Sequence, residues 1–233
     1  MAINGTESTS LIVNDGPTIN IESSLSNVGG IYLRKSITFN NAIFTYSCPN
    51  GSGHSIDTEG TIKLVKGTYN LNAGGGKGIQ SEGYLYIGEK KGNNSDLPLI
   101  IKTTDEGIEA KKIEIYSGNI KIESGDDGIN AASSGEDCGE TVQCSGTCAC
   151  YIVYNGGNLE VTSGADGIDA NGDITISGGQ IIVFSEPDGA NQPIDQDGLL
   201  SITGGTILAA GSTQMGGVSG QTTQTAKTYF SIL

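Results

Sequence analysis

The chain has 233 residues, of which 37 are glycine, so glycine is more than twice as frequent as in an average globular protein. Its formal net charge is −14, and the acidic excess lies in residues 105–197, which hold 18 acidic side chains against three lysines. No apolar run approaches the roughly 18 residues of a transmembrane helix, and no basic patch is present. These features argue against a membrane partner and a nucleic-acid partner, and the length suits one domain, 1–233.

Residues 1–28 contain two short apolar stretches, at 11–13 and 19–21, and we expect them to form an N-terminal cap or a partial first rung. Downstream of them an isoleucine recurs with similar neighbouring residues, usually directly after a glycine, at intervals of 21 to 39 residues. Two alternating apolar pairs follow most of these isoleucines, and alternation with a period of two is the pattern of a β-strand. We call them the slot isoleucines: Ile31, Ile56, Ile79, Ile108, Ile129, Ile168 and Ile194.

Each repeat therefore predicts about three short strands joined by glycine-rich corners, and no helical period runs far enough to predict a helix. One such repeat cannot bury its apolar side alone, so the repeats must stack and share a core. We predict an all-β fold, a single-stranded right-handed parallel β-helix of about seven rungs, in which the slot isoleucines form one buried column. A β-sandwich is the alternative, but it would not require a recurring isoleucine at equivalent positions.

Three segments depart from the regular repeat. Residues 88–97 and 132–152 lengthen two of the intervals, and we predict that both are loop insertions, the second one rich in cysteine. Residues 212–233 end in an apolar run, which predicts either a C-terminal cap or a truncated edge strand.

Four of the five cysteines lie in the second insertion, and a dense cysteine cluster is typical of disulfides in an oxidising compartment. Zinc is the rival interpretation, but the cluster has no C-x2-C spacing and His54 is the single histidine. We therefore expect a secreted, extracellular domain of a larger protein, with one thiol free or paired outside the cluster. The disulfide candidates are Cys48, Cys138, Cys144, Cys148 and Cys150.

Acidic residues recur at fixed positions around the slot isoleucines, two or three residues before them and one residue after. On rungs about 4.8 Å apart these residues stack at one corner, where neighbouring carboxylates repel by about 0.9 kcal/mol even in water. Oxygen ligands at this density are typical of Ca²⁺, the cofactor that we predict, whereas Mg²⁺ prefers a tighter octahedron. The alternative is a solvated corner that only keeps the protein soluble. We call this set the acidic corner, with the predicted metal ligands Asp105, Glu106, Glu109, Asp126, Asp127, Asn130, Asp166, Asp169 and Asp195, and Asp197 as a further candidate.

The phrases DDGINA at 126–131 and ADGIDANG at 165–172, the latter followed by ITISGG at 174–179, resemble a known repeat. It is the repeat of the clostridial calcium-containing carbohydrate-binding β-helix proteins, and the resemblance is best over residues 105–217. The resemblance implies a polysaccharide-lyase-like fold, bound calcium, and binding of cellulose or of acidic polysaccharides such as polygalacturonate. The cysteine-rich insertion departs from the pattern of that family.

Outward positions on consecutive rungs form a long flat surface that suits an extended glycan. Tyr84, Tyr86 and Tyr116 are predicted to cluster on two adjacent rungs, where aromatic rings could stack on sugars. Lys63 and Lys112 could pair with uronate carboxylates, although β propensity alone also places tyrosine on exposed strands. Our leading hypothesis is a non-catalytic carbohydrate-binding module whose partner is a plant cell-wall polysaccharide, either pectin (polygalacturonate) or cellulose.

Two other functions stay open at this point. A calcium-dependent polyuronate (pectate) lyase needs a base of lowered pKa, for which Lys111, Lys112 and Lys121 are the candidates near the acidic residues. Surrounding carboxylates raise the pKa of a lysine rather than lower it, so we favour a protein that is not an enzyme and assign no catalytic residue. An extracellular adhesin or structural β-helix would need neither the metal nor the aromatic surface.

Overall fold

The computed structural model of the chain describes residues 2–6, 8–90, 97–132, 149–187 and 190–212, and the backbone of 222–224 and 229–232. Within these ranges every regular element is a β-strand, and no helix is long and apolar enough to cross a membrane. The strands in chain order are β1 (Ile3–Asn4), β2 (Ser10–Val13), β3 (Thr18–Glu22), β4 (Ile31–Leu33), β5 (Ser36–Phe39), β6 (Ala42–Ser47), β7 (Ile56–Thr58), β8 (Thr61–Leu64), β9 (Gly67–Gly74), β10 (Ile79–Ile87), β11 (Pro98–Thr103), β12 (Ile108–Ile115), β13 (Asn119–Glu123), β14 (Ile129–Ala131), β15 (Tyr151–Tyr154), β16 (Asn158–Thr162), β17 (Ile168–Ala170), β18 (Asp173–Ile176), β19 (Gln180–Phe184), β20 (Ile194–Gln196), β21 (Leu200–Ile202), β22 (Thr206–Ala210), β23 (Thr222–Gln224) and β24 (Tyr229–Ile232).

The strands coil into a parallel β-solenoid with about seven turns between Ile31 and Ala210. Each turn passes through three strand positions in the same order, and every pairing between described strands is parallel. A parallel neighbour is always one full turn away in the sequence, which confirms the β-helix and excludes a β-sandwich. We call the three strand positions side one, side two and side three; β10 and β12 each run through both side one and side two.

The slot isoleucines are the first residues of the side-one strands, and they pair directly from turn to turn, from Ile31 to Ile194. All seven are buried, so the predicted isoleucine column is confirmed. Ile3 pairs with Ile31 and adds one more member, which shows that residues 1–28 contribute strands β1 to β3 to an opening turn.

One register shift explains an irregular spacing in the sequence. The pairing of β10 with β12 shifts between Ser81 and Tyr84, because β10 carries one more residue there than β12 does. Gly83 lies in this bulge, and a Cβ on it would meet the Gly60 carbonyl oxygen at 2.4 Å, so only glycine fits. The following apolar pair of β12 therefore comes one residue early in the sequence but stays in register in space.

The predicted insertions fall between strands, with one correction. Residues 88–97 separate β10 from β11, whereas the 132–152 segment ends inside β15, which starts at Tyr151. Tyr151 and Ile152 are strand residues because Ile152 pairs with Ile113 and fills the apolar position of that turn. At the C-terminal end β23 and β24 pair with β21 and β22 and so continue the solenoid.

Candidate functional site

The acidic corner consists of two residue columns on either side of the slot isoleucines. The column two residues before them is Lys77, Glu106, Asp127, Asp166 and Gln192, and the backbone of each turn bonds to the next. The column one residue after them pairs in the order Asp57, Gln80, Glu109, Asn130, Asp169 and Asp195. In this second column Gln80 and the predicted Asn130 separate the acids, and Asp169 and Asp195 are the carboxylates that stack directly.

Lys77 is the lysine that contacts the acidic corner, and the sequence analysis missed it. Its ammonium forms ion pairs with both Glu106 and Glu109. The signal was present in the sequence, since Lys77 stands two residues before a slot isoleucine, where the following turns carry acids. One positive charge of the protein thus balances half of the negative charge of these two glutamates, which were predicted as metal ligands.

Asn130 links the acids of two neighbouring turns through hydrogen bonds rather than charge. Its side-chain amide donates to Glu106 Oε1 at 2.9 Å and to Asp127 Oδ2 at 3.2 Å. Its side-chain oxygen is buried and accepts no hydrogen bond from the described residues. That oxygen remains available as a ligand for a cation.

Asp166, Asp169 and Asp195 form the part of the acidic corner that is suited to a metal ion. One carboxylate oxygen from each lies within 4.8 Å of the other two, and all three side chains are half-buried. Burial raises the pKa of Asp169 to about 8, and the charges of neighbouring aspartates, including Asp127, add to this shift. Burial likewise raises the pKa of Asp127 to about 7, against the lowering effect of the hydrogen bond from the Asp166 backbone N–H. Removing such crowded carboxylates from water is costly unless a cation is bound between them.

Three other predicted acids lie outside this group. Asp126 and Asp197 are exposed to solvent. Asp105 is half-buried, and its Oδ1 accepts a hydrogen bond of 2.9 Å from the backbone N–H of Glu106. Of the predicted set, the structure brings Asp166, Asp169 and Asp195 together as a compact trio.

The second candidate region is an outward surface on side two that we call the tyrosine–lysine face. It is built from two columns, in which Tyr84 pairs with Lys112 and Lys112 with Tyr151, while Lys63 pairs with Tyr86 and Tyr86 with Glu114. All five residues predicted for carbohydrate binding lie here, and Tyr151, Lys90 and Glu114 join them. Sequence analysis missed Tyr151 because that residue was assigned to the cysteine-rich insertion. The face is formed by Lys63, Tyr84, Tyr86, Lys90, Lys112, Glu114, Tyr116 and Tyr151.

Aromatic rings and ammonium groups alternate across this face. The rings of Tyr84 and Tyr86 stack at 5.7 Å with an interplanar angle of 2°. Lys112 Nζ lies 4.8 Å from the Tyr84 ring centre and 5.7 Å from that of Tyr151, and it donates to the Tyr84 hydroxyl at 3.0 Å. Lys63 lies over Tyr86 at 5.4 Å. Cation–π contacts of this kind hold each lysine in place with its charge at the surface.

Glu114 organises the tyrosine hydroxyls of the face. It accepts hydrogen bonds from Tyr116 and, at 3.2 Å, from Tyr151. Burial, followed by the charge of Glu114, raises the pKa of Tyr151 to about 12. Burial and the hydrogen bond to Glu114 raise the pKa of Tyr116. Both hydroxyl protons are therefore held by Glu114 at neutral pH.

A shallow groove of about 580 Å³ runs along one edge of the tyrosine–lysine face. Tyr86 and Tyr116 form part of its wall, and Lys63, Lys90 and Glu89 surround it. Lys90 lies 5.5 Å from the centre of the Tyr116 ring. A concave surface with apolar walls and few polar groups is the usual form of a ligand site.

Cys48 is the odd thiol that the sequence leaves outside the cysteine cluster. Cys48, a disulfide candidate, is a free thiol that is buried in the core, and its sulfur lies 3.3 Å from the Leu25 carbonyl oxygen. Cys150 is also buried, whereas Cys138, Cys144 and Cys148 lie outside the described residues, so the disulfide prediction for that cluster stays untested.

Two of the three lysines proposed as lyase bases, Lys112 and Lys121, lie away from the acidic corner. Lys112 lies on the tyrosine–lysine face, and Lys121 lies on side three, where its hydrogen bond to Glu160 raises its pKa. A raised pKa is the opposite of what a general base requires.

A family model described as "carbohydrate-binding domain-containing protein" matches residues 95–228, which is more than half of the chain. The chain belongs to this family. The match agrees with the clostridial carbohydrate-binding family indicated by the sequence phrases, and it supports a carbohydrate-binding role. Searches of characterised proteins and of solved structures gave no match.

The matched range covers the two candidate regions unequally. All the acids of the acidic corner, from Asp105 to Asp195, lie inside it, and so do Lys112 and Tyr151. Lys63 and the stacked tyrosine pair lie before its first residue. The tyrosine–lysine face therefore combines turns inside and outside the family match.

Proposed function

We propose that the chain is a non-catalytic module of a secreted protein that binds an acidic plant cell-wall polysaccharide, of the polygalacturonate type, on the tyrosine–lysine face. Structural Ca²⁺ at the acidic corner is the second part of the proposal. The observation that carries the first part is the grouping of Lys63, Lys90 and Lys112 with four tyrosines on one outward surface. In a chain with a net charge of −14, this surface provides several cations side by side.

The chemistry of the face favours an acidic sugar over a neutral one. Lys63 and Lys112 already cover tyrosine ring faces, so a sugar meets ammonium groups, ring edges and hydroxyls rather than open aromatic planes. An ammonium group gains more from a uronate carboxylate than from a neutral hydroxyl. The hydroxyls of Tyr116 and Tyr151 donate their protons to Glu114, so toward the glycan their oxygens can accept hydrogen bonds from sugar hydroxyls.

Neighbouring turns match the repeating nature of such a ligand. Parallel strands stack about 4.8 Å apart, so Lys63, Tyr86 and Glu114 present one side chain per turn along the solenoid axis. An extended polysaccharide that lies along this axis would meet a new side chain at each step. Several weak contacts then add up to useful affinity without a deep pocket.

The donor set of the acidic corner fits Ca²⁺. Asp166, Asp169 and Asp195 would hold the ion, with the buried side-chain oxygen of Asn130 as a further ligand. These are hard oxygen donors in partly buried positions, which suit a cation of flexible coordination. The bound ion would supply positive charge to a cluster that otherwise repels itself, and so stabilise the turns around it.

The experiment is a calorimetric titration of the protein with oligogalacturonate and, as a neutral comparison, with a cello-oligosaccharide of equal length. We expect binding to oligogalacturonate that weakens with salt, and much weaker binding to the neutral glycan. Incubation with polygalacturonate and Ca²⁺ should give no unsaturated product absorbing in the ultraviolet. Equal affinity for both glycans would contradict the acidic-ligand proposal, and formation of unsaturated product would favour a lyase.

A further inference from the structure

Lys77 is the exception in a column of acidic residues. It stands two residues before Ile79, and the next three turns carry Glu106, Asp127 and Asp166 at the same position. The backbone confirms the stacking, since the N–H of Gly78 donates to the Glu106 carbonyl oxygen at 3.2 Å. A cation therefore occupies one step of a column whose next three steps are anions.

The Lys77 ammonium is held from two directions. It pairs with Glu106 from its own column and with Glu109 from the column on the other side of the slot isoleucine. The side chains of Lys77, Glu106 and Glu109 are only 18%, 11% and 15% exposed. By contrast, the pair between Lys121 and Glu160 on side three is about half exposed, as surface ion pairs usually are.

The same arrangement of two acids around a slot isoleucine recurs two turns further along the solenoid. Asp166 and Asp169 have the same spacing around their slot isoleucine as Glu106 and Glu109 have around theirs. The charges that act on Asp169 are all those of aspartates, including Asp127 and Asp195. The corner thus contains two pairs of acids at equivalent positions, and the Lys77 ammonium binds the first of them.

We propose that the Lys77 ammonium is a built-in cation of the acidic corner, which takes the place of a metal ion between Glu106 and Glu109. It thereby confines Ca²⁺ to the end formed by Asp166, Asp169 and Asp195. The independent observation is the ammonium itself, a cation bound between two partly buried carboxylates. The inference rests on the calcium part of the proposed function only for the site at Asp166, Asp169 and Asp195.

Removal of the ammonium should convert its place into a metal site. Without Lys77, Glu106 and Glu109 would be two partly buried carboxylates without their cation, which is a costly arrangement. A divalent ion would restore the missing charge and gain carboxylate ligands at the same time. A protein that has lost Lys77 should therefore need Ca²⁺ at both ends of the corner.

The test compares Ca²⁺ binding by the wild type, K77M, K77R and K121M in isothermal titration calorimetry, together with the Tm of each in chelator and in Ca²⁺. K77M should bind one more ion per chain than the wild type, have a lower Tm in chelator, and recover more of it on addition of Ca²⁺. K77R keeps the charge and K121M removes an exposed lysine, so both should keep the wild-type stoichiometry. The double variant K77M/E109Q removes the ammonium together with one of its carboxylates and should bind no extra ion.

The outcomes separate this inference from the calcium proposal. If the wild type binds no Ca²⁺ but K77M binds one ion, the built-in cation is supported and the site at Asp166, Asp169 and Asp195 is refuted. If both bind the same number of ions, Lys77 is not a substitute for a metal. Failure of K77M to fold at any Ca²⁺ concentration, while K77R folds, would also overturn the inference.

Discussion

The acidic corner and the tyrosine–lysine face arise from the same rule, because a solenoid places residues of equal position above one another at every turn. At the corner the rule stacks like charges, so the protein needs Lys77, the Asn130 amide or a metal ion to make that stack stable. On the face it alternates lysine with tyrosine, and these side chains stabilise one another. In the function that we propose, the corner serves stability whereas the face serves recognition.

The largest expected effect is a loss of stability from a core substitution that affects both regions at once. Ile113 lies buried in β12, between Lys112 and Glu114 of the face and downstream of Glu109 of the corner. Ile113→Ala leaves a cavity in the shared core and should lower the free energy of unfolding by about 2–5 kcal/mol. Urea denaturation would measure this loss, and a change below 1 kcal/mol would show that the core does not support both regions as described.

Removal of the metal should affect the corner alone. At a Ca²⁺ concentration of about 100 times Kd, binding contributes about 2.7 kcal/mol, so chelator should lower the Tm by about 5–10 °C. Asp169→Asn should abolish this response, because it removes one of the three grouped carboxylates. The measurement is differential scanning calorimetry with and without Ca²⁺, with Lys112→Ala as the control that keeps the full response.

Loss of one lysine should affect the face alone. Lys112→Ala removes the ammonium between Tyr84 and Tyr151 and should weaken oligogalacturonate binding about tenfold, or about 1.4 kcal/mol. Lys121→Ala is the matched control, since that lysine lies on side three. Equal losses in the two variants would mean that general charge, and not this face, attracts the glycan.

The smallest effect concerns Asp57, the acid at the first turn of the column that follows the slot isoleucines. Burial, with the charges of Glu82 and Glu59, raises its pKa to about 6, above the ordinary value of 3.8. Because the folded state holds the proton more tightly, the stabilisation is complete below pH 3.8 and is lost as the pH rises through about 6. Asp57→Asn should remove this part of the pH dependence and stabilise the protein by about 1 kcal/mol above pH 6, after allowance for solvent screening.

Thermal unfolding at several pH values would test this prediction, with Glu22→Gln on an exposed strand position as the control. If the pH profiles of the wild type and Asp57→Asn run parallel, burial does not govern the protonation of Asp57.

Position within a repeat could be predicted from the sequence, whereas contacts that depend on one exceptional residue could not. The isoleucine column follows directly from the repeat, because equal slots must pair in a stacked coil. Tyr84, Tyr86 and Lys112 were found for the same reason. Each of these predictions needed only the period of the repeat.

The residues that the sequence predictions missed are those that depart from the pattern of the repeat. Lys77 was missed because the column was searched for acids, although a cation is what a stack of acids requires. Gln80 also interrupts the predicted acidic column beside Asn130, and a search for acids alone did not reveal it. Tyr151 was hidden because the end of a long insertion cannot be located without the strand with which the next residues pair.

The most direct test of the central claim is lysine footprinting by acetylation and mass spectrometry, with and without oligogalacturonate. The account predicts protection of Lys63, Lys90 and Lys112 on the tyrosine–lysine face, while Lys102 and Lys121 on side three react as before. Protection of the side-three lysines, with those of the face unchanged, would contradict it.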